Sequence, residues 1–304
     1  MSARLAFSII LLGLIPFAVV AESPVLVGVI EDTAFTDLTP AMSSIHVRLA
    51  FRKQGMEWIP FGSNAEFNIT PARSDPSFPS TVNWTVVFDG KQLGSIASTN
   101  PGSSNWYADI GVQAITTAAK DIPRVRIGAH EFYLADRRER TRPLLVVSAP
   151  NFRDPEGWKV TSLSVSEKKL AIAKFRNKFP KMEQCDEPET KPIHMAPYFD
   201  DDIVFIKAYR SKSGDVLYGQ RLDDARSKCG FFDDEHFFDY WFLLSQHNGI
   251  KLLDSQMTPI DAADLDGNGH SEWVFQTSRG EDEDGYELFY DGFAKKASFH
   301  WVYH

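Results

Sequence analysis

Short runs of β-branched and aromatic residues, each cut off by turn-forming residues, recur along the whole chain and constrain its fold more than any other feature. They are VLVGVI (25–30), IHVRLAF (45–51), VNWTVVF (82–88), PLLVVSA (143–149), DIVFIKAY (202–209) and YWFLLS (240–245). Runs of this length and composition read as strands, because branched and aromatic side chains pack well on a pleated surface. The last run, ASFHWVYH (297–304), alternates strictly. Ala297, Phe299, Trp301 and Tyr303 share one face, and Ser298, His300, Val302 and His304 share the other. That is the period of a half-buried strand.

Turns of the form Gly-x-x-apolar connect such runs at Gly55, Gly90, Gly214 and Gly249, and a final turn, YDGF, places Gly292. The residues before several of them, as in FDG, SKSG and QHNG, tolerate positive φ and favour hairpins. Gly55 to Gly90 and Gly214 to Gly249 are both 35 residues, and Gly249 to Gly292 is 43. Periods of roughly 40 residues holding several strands each are the spacing of propeller blades. Ordinary hairpins can fall at the same intervals. The expected fold is therefore mainly β, a propeller or propeller-like array of short antiparallel sheets with one amphipathic helix insertion. The alternative is two β-sandwich-like domains joined near 180–200.

The helix is expected in SVSEKKLAIAKFRNKFP. Ser164 and Glu167 form a capping box, Val165, Ile172, Phe175 and Phe179 fall on one face, and Pro180 ends the element. Its lysines and arginines are expected to be a solvated face on an otherwise acidic protein. The Pro-rich stretch 180–200 reads as a linker or long loop. It suggests a subdivision into 22–150 and 190–304, with a helical insertion and linker at 151–189, inside a single mainly-β domain, 22–304.

Residues 1–21 carry one positive charge, Arg4, then an apolar run from Leu5 to Val20 ending in the small residue Ala21. This is the pattern of a secretory signal peptide. The run falls short of the ~20 apolar residues that span a bilayer. No later segment is apolar enough to span, so an exported protein, periplasmic or extracellular, is expected. Removing Arg4 takes the net charge from −9 to −10. An acidic surface repels phosphate backbones, which argues against nucleic acid as a partner. Cys185 and Cys229 are the two cysteines, and in an exported chain a pair reads as a disulfide.

One stretch has chemistry of its own: DAADLDGNGHSEWVF, residues 261–275. Calcium takes about 6–8 hard oxygen ligands. With Asp264 as position one, Asp266 is three, Asn268 is five and Glu272 is nine, while His270 at seven offers its backbone carbonyl. Gly267 and Gly269 allow tight turns. An EF-hand needs a bidentate Glu at position twelve, and Phe275 stands there, so a shorter strand–loop–strand site is expected.

The D-x-D-G-N-G-x-x-E pattern with an apolar strand directly after it resembles the calcium loop of FG-GAP-type repeats, the blades of integrin-α-like propellers. The resemblance covers roughly 258–304. It departs from the commonest form in Asn268 and Glu272, where aspartate is usual, and only one such loop is present. It implies a structural calcium ion held by Asp264, Asp266, Asn268, His270 and Glu272.

Other clusters carry less. Asp233, Asp234, Glu235 and His236 lie in FFDDEHFFDYW and read first as an acidic turn between core aromatics. His300 and His304 are about 13 Å apart at ~3.3 Å per residue, too far to share an ion. HEFYL at His130 lacks the second histidine of a zinc protease helix. ADRRERTRP (135–143) reads as a solvated Arg-rich loop and the best place for an anionic ligand. GEDEDG (280–285) reads as a polar hairpin tip. No nucleophile elbow, P-loop or dinucleotide fingerprint is present. The expected function is an exported, non-enzymatic binding or scaffold protein stabilised by calcium, with an unknown protein or glycan partner. The alternative is an exported hydrolase with dispersed catalytic carboxylates, Asp233, Asp234 and Glu235 first among them.

Overall fold

A computed structural model describes residues 24–34, 45–61, 78–100, 110–128, 138–139, 141–149, 152–185, 193–223, 238–278 and 283–302. The expected signal peptide, Cys229, His130, the acidic group Asp233 to His236, and His304 lie outside these residues. The described residues are mainly β, arranged in several antiparallel sheets with one α-helix.

The first nine strands are β1 (Leu26–Glu31), β2 (Thr33–Ala34), β3 (His46–Gln54), β4 (Glu57–Pro60), β5 (Thr81–Phe88), β6 (Lys91–Thr99), β7 (Val112–Ile115), β8 (Arg138–Glu139) and β9 (Leu144–Val147). Their main sheet runs β1-β9-β5-β6-β7-β3, and β3 pairs with β1 as well, so six strands close a ring. β4 pairs with β3 beyond it, and β2 with β8 forms a separate two-stranded piece. The ring is held at its narrowest points by short pairings, among them two residue pairs between β6 and β7 and three between β5 and β9.

The second group begins with β10 (Lys159–Thr161) and α1 (Val165–Lys178). The strands β11 (Met182–Cys185), β12 (Ile193–Ala196), β13 (Ile203–Arg210), β14 (Val216–Leu222), β15 (Tyr240–Ser245) and β16 (Gly249–Ser255) follow. Here the order is β10-β13-β14-β15-β16, all antiparallel. The last group, β17 (Met257–Ala263), β18 (Glu272–Ser278), β19 (Glu283–Tyr290) and β20 (Lys295–Val302), is a plain four-stranded meander.

These pieces stack. One face of the meander, with Val274, Tyr286, Leu288, Ala297, Phe299 and Trp301, packs into the same core as the ring. Its other face, with Trp273, Phe275 and Phe289, packs on Tyr209, Leu217, Trp241 and Leu243 of the five-stranded sheet. The far face of that sheet, with Tyr218, Tyr240 and Phe242, is covered by Ala171 and Phe175 of α1 and by Phe179. Strands β14, β15, β18 and β19 are thus buried on both faces; β15 (YWFLLS) reads as a continuous apolar run, while the other three also bury polar side chains, among them Gln220, Glu272, Gln276 and Glu287. β20 keeps the expected alternation: Ala297, Phe299 and Trp301 face the ring, while Ser298 and His300 turn the other way.

The five glycine turns close the hairpins β3–β4, β5–β6, β13–β14, β15–β16 and β19–β20. The two-residue loop Asp89–Gly90 has φ of 50° and 69°. Both residues at positive φ make it the turn whose twist matches the flanking strands. The 35-residue intervals, however, separate two hairpins of the same sheet in each case, so that rhythm counts hairpins and not blades.

α1 starts at the expected capping box. Ser164 Oγ accepts from the Glu167 N–H at 3.3 Å, and Glu167 Oε2 accepts from the Ser164 N–H at 2.7 Å. Its buried stripe is Ala171 and Phe175, continued by Phe179. Val165, expected on that stripe, is 74% exposed, because at the first helical position it points away from the sheet. The stretch 180–200 is not a plain loop: β11 and β12 pair as a hairpin, and Met182 and Tyr198 belong to the helix-side core. Among the described residues, no helix is long and apolar enough to cross a membrane.

The ring and the meander are also joined by a buried polar knot. Glu31, at the end of β1, is fully buried and accepts from His46 Nε2 at 2.8 Å, Arg48 Nε at 2.6 Å and the Tyr286 hydroxyl at 2.5 Å. The Arg48 guanidinium lies 4.0 Å from the Trp301 ring centroid. Burial alone would raise the Glu31 carboxyl, but the Arg48 charge and the His46 bond outweigh it and hold it well below the usual range.

Candidate metal centre

The loop 264–271 joins β17 to β18 at the end of the meander that meets the ring. Asp264 follows β17 directly, and its backbone N–H donates to the Arg153 carbonyl at 2.9 Å. Glu272 is the first residue of β18. Gly267 and Gly269 have φ of 74° and 90°, which lets the loop reverse inside a few residues. As a result Asp264, Asp266 and Glu272 each offer a carboxylate oxygen, and these oxygens all lie within 4.8 Å of one another. Such a group can hold a metal ion.

The loop's own N–H groups use only part of this acceptor capacity. Leu265 N–H donates to Glu272 Oε2 at 2.7 Å, Gly269 N–H to Asp264 Oδ2 at 3.0 Å, and Asn268 N–H to Asp266 Oδ1 at 3.1 Å. Asp264 is 8% exposed, and its Oδ1 is buried without a hydrogen-bond partner. A buried carboxylate oxygen left unmatched carries a desolvation cost that a cation would remove. Burial, then the charges of Asp266 and Asp264, push the Glu272 carboxyl up to about 8, against the opposing pull of the Leu265 N–H and Lys53. Three hard oxygen donors converging on one point suit a hard divalent ion.

The other two expected ligands are the Asn268 side chain and the His270 backbone carbonyl, on the same loop. Asn268 is exposed; its Oδ1 accepts from the His270 N–H at 2.7 Å, and its Nδ2 lies 3.5 Å from Glu272 Oε1. The His270 side chain is also exposed and points to Glu156, with Nδ1 3.5 Å from Oε1.

Three residues that sequence reading did not connect to the loop meet it in space. Lys53, on β3 of the ring, forms an ion pair with Asp266 through its ammonium. Asp154 Oδ1 accepts from Ser271 Oγ at 2.8 Å and from the Gly157 N–H at 2.8 Å. Glu156 receives His270 and the Trp158 indole N–H. They are separated from the loop by more than a hundred residues in sequence, and the one local hint is a lysine set in the aromatic-flanked hairpin FRKQGMEW.

Arg142 corrects another expectation. Within the expected basic loop 135–143, Arg142 is 5% exposed and its Nη2 donates to the carbonyls of Pro259 and Ile260 at 3.2 and 2.7 Å, while the side chains of 135–140 lie outside the described residues. The pairing of β17 with β18 slips between Pro259 and Asp261, and the guanidinium serves the carbonyls at that irregularity. Asp284 of the expected acidic tip is likewise buried, inside β19. His300 lies between two carboxylates, with Nδ1 3.0 Å from Glu283 Oε1 and Nε2 3.4 Å from Glu287 Oε1. These are opposite sides of one ring, so the three do not converge on a common point. Cys185 is buried at the end of β11, and the expected bridge to Cys229 lies outside the described residues.

No family model, curated protein or solved structure matches the chain.

Proposed function

We propose that this chain is an exported, non-enzymatic binding or scaffold protein in which a calcium ion at Asp264, Asp266 and Glu272 has a structural role. The observation that carries the reading is the convergence of the three carboxylates around a buried Asp264 oxygen that has no partner. The loop touches the ring through Lys53 and the segment before β10 through Arg153 and Asp154. An ion there would fix the junction of three parts of the molecule. The D-x-D-G-N-G-x-x-E pattern supports calcium over other divalent ions, as in FG-GAP-type loops. The propeller-like part of the reading narrows to two stacked units: the meander, and the five-stranded sheet, in which β13 to β16 are consecutive and β10 is added beside β13.

The test is thermal unfolding of the mature chain with chelator and with millimolar calcium, beside the same measurement with magnesium. A calcium-specific rise in melting temperature, lost in Asp264→Ala/Asp266→Ala, is expected. Indifference to calcium refutes the structural role.

A further inference from the structure

Lys53 holds an unusual place for a lysine beside a cation loop. Its side chain leaves β3, crosses from the ring to the meander, and ends on the Asp266 carboxylate. The two side chains are only 16% and 7% exposed, so the pair is little screened by solvent. The same ammonium lies 4.9 Å from the Trp58 ring centroid and 5.7 Å from that of Tyr290. Trp58 is the cross-strand partner of Lys53 in the β3–β4 hairpin, and Tyr290 ends β19. The slot is held from outside by Glu57, which accepts from the Tyr290 hydroxyl at 2.6 Å and from Lys295 Nζ at 2.7 Å.

A divalent ion drawing on Asp266 would bring a second positive charge against this ammonium at close range. Like charges at such separation in a partly buried site repel strongly. Both aromatic faces are already near enough to take a cation by their ring quadrupoles. We propose that Lys53 is a tethered cation that competes for the loop, so that a divalent ion enters by displacing the ammonium from Asp266 onto the Trp58 and Tyr290 rings. The inference rests on the reading of the loop as a cation site. It adds a regulating residue from the other end of the chain: the ring supplies the counter-ion that keeps the empty loop closed and sets how tightly an ion is held.

The experiment is calorimetric titration of the full mature chain with calcium alone, comparing wild type with Lys53→Met, which keeps the stem in the aromatic slot but removes the charge. Lys53→Gln serves if the methionine variant does not fold. The expected result is binding at least ten-fold tighter, with Lys53→Arg close to wild type. Lys296→Met, which removes a charge whose ion pairs are with Asp254 and Glu287, should change affinity less than two-fold. Unchanged or weaker binding in Lys53→Met, or an equal gain in Lys296→Met, overturns the proposal. So does a gain that survives Asp264→Asn in the Lys53→Met background. Calcium bound by the Lys53 variants and not by wild type supports it. Calcium bound by none of them overturns the reading of the loop itself.

Discussion

Replacing Glu272 by glutamine should change the sign of its effect with calcium. In the ion-free fold this carboxyl is held at about 8 against an ordinary 4.5, first by burial and then by its two aspartate neighbours. A folded value above the unfolded one means that the fold favours the protonated group. Its contribution is fully present below pH 4.5 and is lost as pH rises through about 8. At pH 7 the folded protein must hold a proton there that the unfolded chain has released, which costs about 3 kcal/mol relative to a side chain that does not titrate. Glutamine keeps an acceptor for the Leu265 N–H and needs no proton. In chelator at pH 7–8, Glu272→Gln should therefore be more stable than wild type, by up to about 3 kcal/mol or roughly 5 °C or more in melting temperature. The gain should shrink to nothing as pH falls to 4.5. In millimolar calcium the order should invert, because the ion requires the charged ligand that glutamine lacks. The assay is thermal and urea unfolding of both proteins from pH 4.5 to 8.5, with chelator and with calcium. A variant less stable than wild type in chelator at pH 8, or one that keeps the full calcium response, refutes the reasoning.

Wild-type melting temperature should rise with calcium, and Asp264→Ala/Asp266→Ala should show no response in the same scan. Arg48→Met should destabilise the protein by about 3–5 kcal/mol in urea unfolding, because it strands the buried Glu31 charge; Glu31→Gln/Arg48→Met together should cost less than the single change. Phe175→Ala should cost about 3–5 kcal/mol, since a fully buried ring between α1 and the five-stranded sheet leaves a cavity. A thiol count on the unreduced, unfolded chain should find no free cysteine, and two free thiols would remove the Cys185–Cys229 bridge.

What could be read from the sequence was what short-range physics encodes. A glycine at positive φ makes the same turn in any β protein, so the hairpins at Gly55, Gly90, Gly214, Gly249 and Gly292 were legible. The Ser164–Glu167 box is complete within four residues. The acidic loop is also local, and its glycines and alternate carboxylates stand together in the sequence. The stacking order of the sheets is set by which apolar faces match in shape, and hydropathy is nearly blind to that. β14 and β18 both mix apolar and polar residues, and nothing in either sequence says which layer lies on each of its faces. Arg142 and Lys53 were misread or missed for one reason. A long cationic side chain reads as solvated until a distant carbonyl or carboxylate is known to face it, and those partners, Pro259, Ile260 and Asp266, come from the far end of the chain.

The placement of the meander between the ring and the five-stranded sheet makes the C-terminal segment a keystone. Loss of the strands from Met257 onward would uncover two aromatic and aliphatic faces at once, one on each neighbour, which neither could cover alone. Exposed apolar faces of that extent, flanked by open strand edges, drive association between chains. A nonsense codon or proteolytic cut near residue 257 should therefore produce insoluble protein, although most of the sequence upstream of it is intact. Quality control during synthesis would have to shield both surfaces until the final strands arrive.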